Sequence, residues 1–365
     1  MPDIINLSVG EPDFTPPIHA LEGGWKAALA GKTHYAPTNG VAELREALAE
    51  KARKEYGLQY DPESEVLVTV GGTEAIFLAL MAVVNPGDEV LIPNPGFVCY
   101  EPSVRLAGGI PVSIPILEKN EFKPSIDDVT SLITGKSRVM ILNYPNNPTG
   151  AILSYDELKA IAKIAVERDL VVISDEVYEK IIYDGESHSC LAALPEMRER
   201  TLIVNSFSKT YAMTGLRIGY VYGPKELIAP LWLCHQYLVA CVDTIAQYAA
   251  LAALKGPQDF VKEMVAEFDK RRQFAFKRLN EIKGFKCVLP KGAFYIFPSI
   301  RAFNMPSEEF AQLLLKKAHV ATVPGSAFGS YGEGYVRISY AAAYEQLEEA
   351  FNRIEKATKR LKDYL

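Results

Sequence analysis

The 365-residue sequence lacks the features that mark several classes of protein. Its five cysteines are scattered without a CxxC pair, and its five histidines lie far apart, so neither a disulfide framework nor a metal site is expected. No apolar run is long enough to span a bilayer, and the first residues, MPDIINLSVGEPDF, have no region typical of a secretory signal. With 39 Lys and Arg against 45 Asp and Glu, no nucleic-acid or membrane partner is expected either. These absences predict a cytoplasmic protein that acts on small molecules.

Short apolar runs rich in Val and Ile alternate with helical patterns between about residues 65 and 225. Continuous hydrophobicity in such short runs is typical of strands that are buried on both faces of a parallel sheet. The predicted strands cover residues 66–70, 89–92, 139–143, 170–174, 201–205 and 218–222, with helices over 73–84 and 155–168 among the segments between them. The pattern predicts an α/β fold with a mostly parallel sheet, whose ligands lie beyond the carboxyl ends of the strands.

The pattern changes after about residue 257. A charged amphipathic helix is predicted over 257–282, followed by short strands and a closing helix over 345–364, as in a smaller α+β domain. The extended, proline-rich N-terminal segment is expected to pack on that second domain. We therefore predict a large domain over 28–257 and a small domain formed by 1–27 and 258–365.

Polar residues follow several of the predicted strands. Gly71 and Gly72 open a helix after the first strand, and such a junction can bind phosphate through free backbone N–H groups. Asn147 lies in the turn after the third strand. Asp175 ends the fourth strand, where a buried carboxylate needs a partner: it either caps a helix or pairs with a buried cation.

Two basic residues have both an ordinary and a functional interpretation. Lys209 follows the strand at 201–205 beside Ser206 and Ser208, and Arg217 comes eight residues later; the serines and the arginine suit a phosphate, although most lysines are simply solvated. Arg337 lies among the strand residues YVRIS, where it must pair with an anion. From the residues alone, a structural ion pair is the favoured partner for Arg337.

The motifs, taken in order, resemble a known family. GEPDF, HYAPTNG, VGGTEA, PNNPTG, SDEVY, SFSKTYAMTGLRIGY and VRISYA are similar to the motif set of the class I/II aminotransferases, enzymes of fold type I that use pyridoxal 5′-phosphate (PLP). The resemblance covers nearly the whole chain and is strongest to the aspartate and aromatic aminotransferases of prokaryotes. It implies a large domain with a mostly parallel sheet, a smaller α+β domain and a homodimer.

The resemblance also implies roles for the matching residues. Lys209 would hold PLP as a Schiff base and, once freed, would move a proton on the substrate. Asp175 would pair with the pyridine nitrogen, and Tyr178 would contact the phenolic oxygen of the ring. Arg337 would bind the substrate α-carboxylate. The other implied contacts are Asn147 with the ring oxygen and the substrate; Phe97 on the ring; Gly72, Thr73, Ser206, Ser208 and Arg217 around the phosphate; Glu74 as a further cofactor contact; Tyr35 reaching the phosphate from the neighbouring subunit; and Gly10 beside the substrate carboxylate.

The implied reaction is a ping-pong transfer of an amino group from an aromatic amino acid, aspartate or a broad range of L-amino acids to a 2-oxo acid such as 2-oxoglutarate. A PLP lyase or decarboxylase of the same fold stays open as an alternative. A non-catalytic PLP-binding regulator is a remote one, because such proteins resemble this fold fused to a DNA-binding domain, for which no room is expected before Gly10.

The sequence departs from the family pattern in two places. Aspartate-preferring bacterial members carry a lysine at the position of Thr73, so strict aspartate specificity is not implied. Members usually have some tens of residues before GEPDF, so an arm-mediated part of the dimer contact does not carry over. Segments around Ile18, Tyr100 and residues 292–295 are candidates for selecting the substrate side chain.

Overall fold

The computed structural model describes residues 3–359. The strands are β1 (Ile5–Asn6), β2 (Val66–Thr69), β3 (Glu89–Asn94), β4 (Ile110–Leu117), β5 (Lys123–Pro124), β6 (Ser137–Asn143), β7 (Val171–Asp175), β8 (Thr201–Ser206), β9 (Gly219–Tyr222), β10 (Tyr295–Ile296), β11 (Val320–Ala321), β12 (Val323–Pro324) and β13 (Val336–Ser339). The helices are α1 (Ile18–Leu29), α2 (Ala42–Tyr56), α3 (Gly71–Val83), α4 (Tyr100–Leu106), α5 (Ile126–Leu132), α6 (Tyr155–Glu167), α7 (Phe207–Thr210), α8 (Lys225–Val239), α9 (Thr244–Lys255), α10 (Asp259–Glu281), α11 (Ser307–Leu313) and α12 (Tyr344–Lys359).

The large sheet has eight strands in the order β2-β9-β8-β7-β6-β3-β4-β5. The pairs β8–β7, β7–β6, β6–β3 and β3–β4 are parallel, whereas β9 runs antiparallel to both of its neighbours and β5 is antiparallel to β4. Because β6, β7 and β8 run side by side in one direction, their carboxyl ends meet at one edge of the sheet. The predicted α/β fold with a mostly parallel sheet is confirmed.

All six predicted strands of the large sheet are present, within two residues at their ends. The prediction missed two strands, the short β5 and β4, whose sequence IPVSIPIL contains Pro111 and Pro115. A proline lacks the backbone donor of a sheet ladder and normally argues against a strand in the interior of a sheet. β4 nevertheless pairs with β3 along six residues, from Glu89 opposite Ile110 to Asn94 opposite Pro115.

The second region has its own core and two small sheets. β13 pairs with β10 and β12 in an antiparallel sheet, and β1 pairs in parallel with β11. Met264 and Phe268 of α10 and Phe351 of α12 are fully buried in this core. The region predicted to hold strands between residues 284 and 298 forms only the short β10 and isolated bridges. Of the predicted helix over 345–364, residues 360–364 lie outside the described residues.

The N-terminal segment is divided between the two regions. β1 adds to the small region as expected, but α1 packs along α9, which belongs to the large region. A Cβ atom at Gly24 would come within 3.1 Å of the Ala249 side chain, and one at Gly23 would collide with Ala252, so the two helices approach closely because α1 has glycines there. Residues 18–29 therefore contact the large region, and the division at residue 27 stays a prediction. Within residues 3–359, the helices are all too short or too polar to cross a membrane.

Candidate active site

A cavity of about 420 Å³ lies at the carboxyl edge of the large sheet, between the two regions. Its walls come from strand ends and from the segment that precedes α1. It is lined by Val9, Gly10, Glu11, Gly72, Thr73, Ile76, Phe97, Val98, Asn143, Asn147, Asp175, Val177, Tyr178, Ser206, Ser208, Lys209, Thr214, Arg217, Tyr295, Val323, Phe328 and Arg337. Most residues predicted from the strand ends therefore meet in one cavity.

Lys209 lies on α7, a single turn that follows β8. Its Nζ atom donates a hydrogen bond of 2.5 Å to the backbone oxygen of Gly10 and pairs with no carboxylate of the described residues. Burial lowers the pKa of Lys209 to about 8, and the positive charges of Arg337 and Arg217 act in the same direction. The amine is thus withdrawn from water and lies near two positively charged side chains, so a large fraction of it is neutral near pH 8.

Asp175 ends β7 and is 3% exposed. The Tyr100 hydroxyl donates to its Oδ2 at 2.6 Å, and the backbone N–H of Val177 donates to its Oδ1 at 3.3 Å. Burial raises the pKa of Asp175 to about 6, although both hydrogen bonds act to lower it. No described cation pairs with Asp175 directly, so the structure has a buried carboxylate that would gain from a cationic partner in the cavity.

Tyr178 follows Asp175 by three residues and reaches the cavity from the turn after β7. Its hydroxyl lies 2.8 Å from that of Tyr295, and the two rings meet edge to face with centroids 5.7 Å apart. Nζ of Lys209 lies 5.9 Å from the Tyr178 ring centroid. Asp175, Tyr178 and Lys209 therefore surround the same space.

Arg337 is 6% exposed on β13. Its Nη1 donates to Oδ1 of Asn147 at 2.9 Å and its Nη2 to the backbone oxygen of Ser8 at 2.6 Å, while the guanidinium lies 4.4 Å from the Tyr295 ring centroid and 5.0 Å from that of Phe328. Its buried Nε has no hydrogen-bond partner among the described residues. The structural ion pair that the residues alone favoured is therefore wrong, because no described carboxylate pairs with this guanidinium.

A second arginine without an acidic partner among residues 3–359 lies where phosphate binding was predicted. Arg217 donates from Nη1 to the backbone oxygen of Thr214 at 2.9 Å. Its guanidinium lies over the start of α3: a Cβ at Gly71, which has φ +76°, would come within 2.7 Å of Nη2. The guanidinium therefore lies beside the first turn of α3. This helix has thirteen residues, and its first backbone N–H groups and positive dipole end are available to an anion.

Two serines complete this end of the cavity. Oγ of Ser206 accepts a hydrogen bond from the backbone N–H of Ser208 at 3.0 Å and lies 2.9 Å from Oγ of Ser208. Both serines are buried, and Gly72 and Thr73 line the cavity beside them. Two hydroxyls, a helix start and a guanidinium without an acidic partner among the described residues are groups that could hold an anion here.

Several predicted residues do not line the cavity, among them Glu74, Tyr35, Tyr100 and Ile18. Glu74 turns away from it: its carboxylate accepts a hydrogen bond from the backbone N–H of Val70 and lies 3.1 Å from Nδ1 of His235. Tyr35 is 90% exposed, as expected for a side chain that acts in a neighbouring subunit. Ile18, a candidate for side-chain selection, is also exposed on the surface.

Sequence reasoning named Tyr100 and the segment 292–295, which contains Tyr295, only as candidates for selecting the substrate side chain, and it did not assign the contacts that these two tyrosines make. Tyr100, considered only for side-chain selection, is the hydrogen-bond donor to Asp175. The signal that could have revealed it is a second aromatic residue shortly after Phe97: Tyr100 begins α4, and the two rings meet edge to face with centroids 5.7 Å apart. Tyr295 joins Tyr178 to Arg337, but its sequence neighbours carry no comparable signal.

The cavity fits PLP on its own chemistry. PLP carries a phosphate, a ring nitrogen that can hold a proton and an aldehyde that reacts with an amine. The cavity offers a partner for each of these groups: Arg217 with the start of α3 for the phosphate, the buried carboxylate of Asp175 for the ring nitrogen, and the Lys209 amine, whose pKa is lowered, for the aldehyde. The unsatisfied Nε of Arg337 adds a place for a second anion, such as the carboxylate of an amino acid.

Comparison with known proteins gives a single answer. The model of the family "Aminotransferase class I and II" matches residues 2–354. The chain is 50% identical to an aspartate aminotransferase of Pyrococcus abyssi (99% of this chain, 93% of that one) and 48% identical to aromatic-amino-acid aminotransferase 2 of Thermococcus litoralis (98% and 92%). The crystal structure of an aromatic aminotransferase from Pyrococcus horikoshii OT3 superposes with a TM-score of 0.97 at 50% identity, covering 99% of this chain and 97% of that one. The chain therefore belongs to the class I and II aminotransferases, enzymes that use PLP to move an amino group from an amino acid to a 2-oxo acid.

Proposed function

We propose that this aminotransferase prefers aromatic and other apolar L-amino acids as amino donors, with 2-oxoglutarate as an acceptor, and that Lys209 is its catalytic base. The observation that supports these roles best is the placement of Lys209, a buried amine without a carboxylate partner, in one cavity with Asp175 and the two arginines Arg217 and Arg337.

PLP, when bound, supplies an electron sink that stabilises negative charge at the substrate Cα. Lys209 would hold the cofactor through its amine and, once freed, would move the Cα proton as general base and general acid. A pKa of about 8 suits both tasks near neutral pH, because neither protonation state is rare. Asp175 would hold the proton on the ring nitrogen, and Tyr178 and Asn147 would donate hydrogen bonds to the ring oxygen.

The two anions of the reactants have separate partners in this proposal. Arg217, Ser206 and Ser208 bind the phosphate with Gly72 and Thr73, whereas Arg337 binds the substrate carboxylate. Asn147 fixes the Arg337 guanidinium by accepting from its Nη1. Gly10 belongs to the same wall, and the Tyr295 hydroxyl lies where a Cβ at Gly10 would be, so a larger residue there would displace the ring that packs on Arg337.

The rest of the cavity wall supports an apolar substrate side chain. Val9, Val98, Val323 and Phe328 face it, and its only cationic side chains among the described residues are Lys209, Arg217 and Arg337, each of which has a role already. A substrate with a second carboxylate would need a further cation, and Thr73 cannot supply one. Burial of an aromatic ring against these side chains is favourable by area alone.

Steady-state kinetics with a panel of amino donors and 2-oxoglutarate tests this proposal. We expect kcat/KM for phenylalanine and tyrosine to exceed that for aspartate by about tenfold or more, the scale of one unmade charged contact. Thr73→Lys should raise kcat/KM for aspartate and leave the phenylalanine value within a few-fold, with Thr73→Ser as the matched control. A wild-type preference for aspartate would overturn the substrate assignment.

Pyruvate and ammonia released from a β-substituted amino acid would show a lyase activity instead.

We also propose a homodimer in which Tyr35 contacts the phosphate bound by the partner. Large apolar side chains are exposed on α1 and on the C-terminal half of α8, among them Trp25, Leu29, Tyr237 and Leu238, with exposed fractions between 54% and 81%. Exposed apolar side chains in such numbers favour an interface. Light scattering should give twice the mass of the chain, and Tyr35→Phe should weaken cofactor retention. A fully active monomer would exclude this role for Tyr35.

A cytoplasmic location is the last part of the proposal. The five cysteines are all free thiols, and Cys190 and Cys287 are buried. Free thiols are typical of a reducing compartment. Fractionation of the source cells with antibody detection tests it, and recovery of the protein outside the cytoplasm would contradict it.

A further inference from the structure

The segment that follows β7 has two sides with different chemistry. Asp175 and Tyr178 point into the cavity, whereas Glu176 and Glu179 point away from it into the protein. The backbone of the segment is tied down at two places: Glu176 N–H donates to the Val204 oxygen on β8, and Glu179 N–H donates to the Glu176 oxygen, both at 2.9 Å. The residues on the two sides alternate along one short stretch of chain, so a shift of one side moves the other.

The side of this segment that faces away from the cavity, which carries Glu176 and Glu179, is called the rear side. Glu176 is held there by two partners. Its Oε1 accepts from the Ser174 hydroxyl at 2.8 Å, and its Oε2 lies 2.8 Å from Nε2 of His188. The side chains of Glu176 and His188 are 2% and 14% exposed. A carboxylate this deeply buried needs a cationic or donor partner, and His188 is the cation within reach.

Glu179 has a separate partner from another element. Nζ of Lys51 on α2 lies 2.7 Å from its Oε1, and the Tyr56 hydroxyl donates to its Oε2. Lys51 also pairs with Glu55 at 2.6 Å. One carboxylate of the rear side is therefore anchored by α2 and the other by the loop that carries His188.

The rear side is electrically balanced when His188 is protonated. The carboxylates of Glu55, Glu176 and Glu179 then face three cations: Lys51, His188 and Lys180, whose Nζ lies 2.9 Å from Glu55. The Tyr56 ring, whose centroid lies 6.3 Å from that of the imidazole, is a neutral neighbour. Ligand atoms of Glu176, Glu179 and His188 lie within 4.8 Å of one another, as in a metal site, but Lys51 already supplies the positive charge there. Deprotonation of His188 would leave one uncompensated negative charge behind Asp175.

We propose that Glu176 and His188 form a positioning pair for the transamination: they hold Asp175 and Tyr178 in place, and their charge sets how strongly Asp175 retains its cation. The inference rests on the roles proposed above for Asp175 and Tyr178. A buried ion pair contributes little to stability compared with apolar residues of the same shape, so its position directly behind the ring-binding side chains calls for another role.

The charges of Glu176 and His188 have opposite effects on the pKa of Asp175. The negative charge of Glu176 raises the pKa of Asp175, in addition to the larger effect of burial. The pKa of His188 is itself raised, because Glu176 and Glu179 outweigh the effects of its burial and of Lys51. His188 therefore remains charged below its raised pKa and partly cancels Glu176, and this cancellation is lost as the pH rises through that pKa.

The test is a pH titration of the visible absorbance band of the holoenzyme, which reports a proton held on the bound chromophore. Glu176→Gln removes negative charge and should lower the midpoint. His188→Gln removes positive charge and should raise it. We expect shifts of about 1 pH unit, the size for a unit charge about 10 Å away at an effective dielectric constant of about 20. The double variant should return close to the wild-type midpoint.

Asp184→Asn is the matched control. Asp184 lies four residues before His188 in the same loop and pairs with Arg272 at 2.6 Å, and Arg272 keeps a second partner in Asp269. This variant removes a carboxylate of the loop without changing the charge behind Asp175. We expect its melting temperature to fall and its midpoint to stay at the wild-type value.

Shifts of opposite sign support the positioning pair, because a loss of packing alone would move both variants in the same direction. Shifts of the same sign, or none in folded variants, would overturn it. If His188→Gln does not fold, Glu176→Gln alone decides, since it keeps the shape of the side chain: an upward or absent shift contradicts the proposal. Asp175→Asn separates the two levels of inference. Full activity in that variant would remove the role of Asp175 itself, whereas an inactive Asp175→Asn with unshifted pair variants would remove only the inference about Glu176 and His188.

Discussion

Two buried lysines of this chain have opposite chemistry. Lys51 lies behind the cavity and Lys209 inside it, and both are largely withdrawn from solvent. Burial acts to lower the pKa of each amine, yet the pKa of Lys51 ends well above its usual range because Glu179 and Glu55 lie within 2.7 Å. The pKa of Lys209 falls to about 8, because its burial is not offset by a paired carboxylate and the positive charge of Arg337 lowers it further.

Burial does not by itself make an amine reactive, as the two lysines show. Lys51 is a satisfied cation whose charge is matched by carboxylates of its own chain. Among residues 3–359, Lys209 and Arg337 pair with no carboxylate and Asp175 pairs with no cation, so the cavity keeps charges that a ligand could balance. Unbalanced buried charge is costly for the folded chain and is expected where function requires it.

Exchange of the cavity lysine should give the largest effect. Lys209→Ala removes both the amine that holds the cofactor and the proton carrier, so turnover should fall by about 10⁴-fold or more while the far-ultraviolet circular dichroism stays native. Borohydride reduction of the wild-type holoenzyme and peptide mapping should find the cofactor on Lys209. Cofactor attached to Lys51 instead, or multiple turnover in Lys209→Ala, would end the distinction between the two amines.

Exchange of the rear lysine should affect stability instead. Lys51→Met leaves Glu179 buried without its cation, and we expect the free energy of unfolding to fall by about 3–5 kcal/mol. Denaturant unfolding of the apoenzyme measures the loss, with Lys54→Met on the exposed side of α2 as the matched control. Turnover per folded molecule should change by less than about tenfold. A variant as stable as wild type would mean that this ion pair is not an anchor.

The sequence predicted the cavity side of this comparison much better than the rear side. Lys209, Asp175 and Asn147 each follow a buried strand, and parallel strands bring their carboxyl ends together whatever else the chain does. Lys51 and Glu179 are 128 residues apart, and α2, with the sequence AELREALAEKARKEY, has the composition of a solvated helix. No local pattern tells that one of its lysines turns inward.

Partners in space explain the other differences. Arg337 was expected to form an ion pair because a strand arginine needs an anion, and only the folded chain reveals that none of its described carboxylates reaches it. Glu74 lies in a motif that reads as a phosphate site, but its carboxylate turns to His235, which is 161 residues away. A sequence motif predicts the path of the backbone. The direction of a long side chain depends on the residues that surround it in the folded protein.

Exchange of Arg337 should have an intermediate effect. Lysine keeps the positive charge but offers a single ammonium in place of a planar fork, so Arg337→Lys should lower kcat/KM for all amino donors by about 10- to 150-fold, the scale of 1.5–3 kcal/mol for one charged hydrogen bond. The loss should be the same for aromatic and acidic donors because every donor has the α-carboxylate. A loss confined to aspartate would mean that Arg337 binds the distal carboxylate instead.

The smallest effect is a pH dependence that separates the two lysines without a mutation. Only the neutral amine attacks the aldehyde of the cofactor, and lowering the pKa of Lys209 to about 8 makes that form available from neutral pH upward. The rate at which the apoenzyme takes up PLP, followed by the visible band in a stopped-flow instrument, should therefore rise about tenfold per pH unit below pH 8 and level off above it. An amine with the raised pKa of Lys51 would give a rate that still climbs at pH 10. A plateau near pH 8 thus identifies the reacting group by its electrostatic surroundings, and a continued rise would mean that the cationic cavity does not lower the pKa of Lys209.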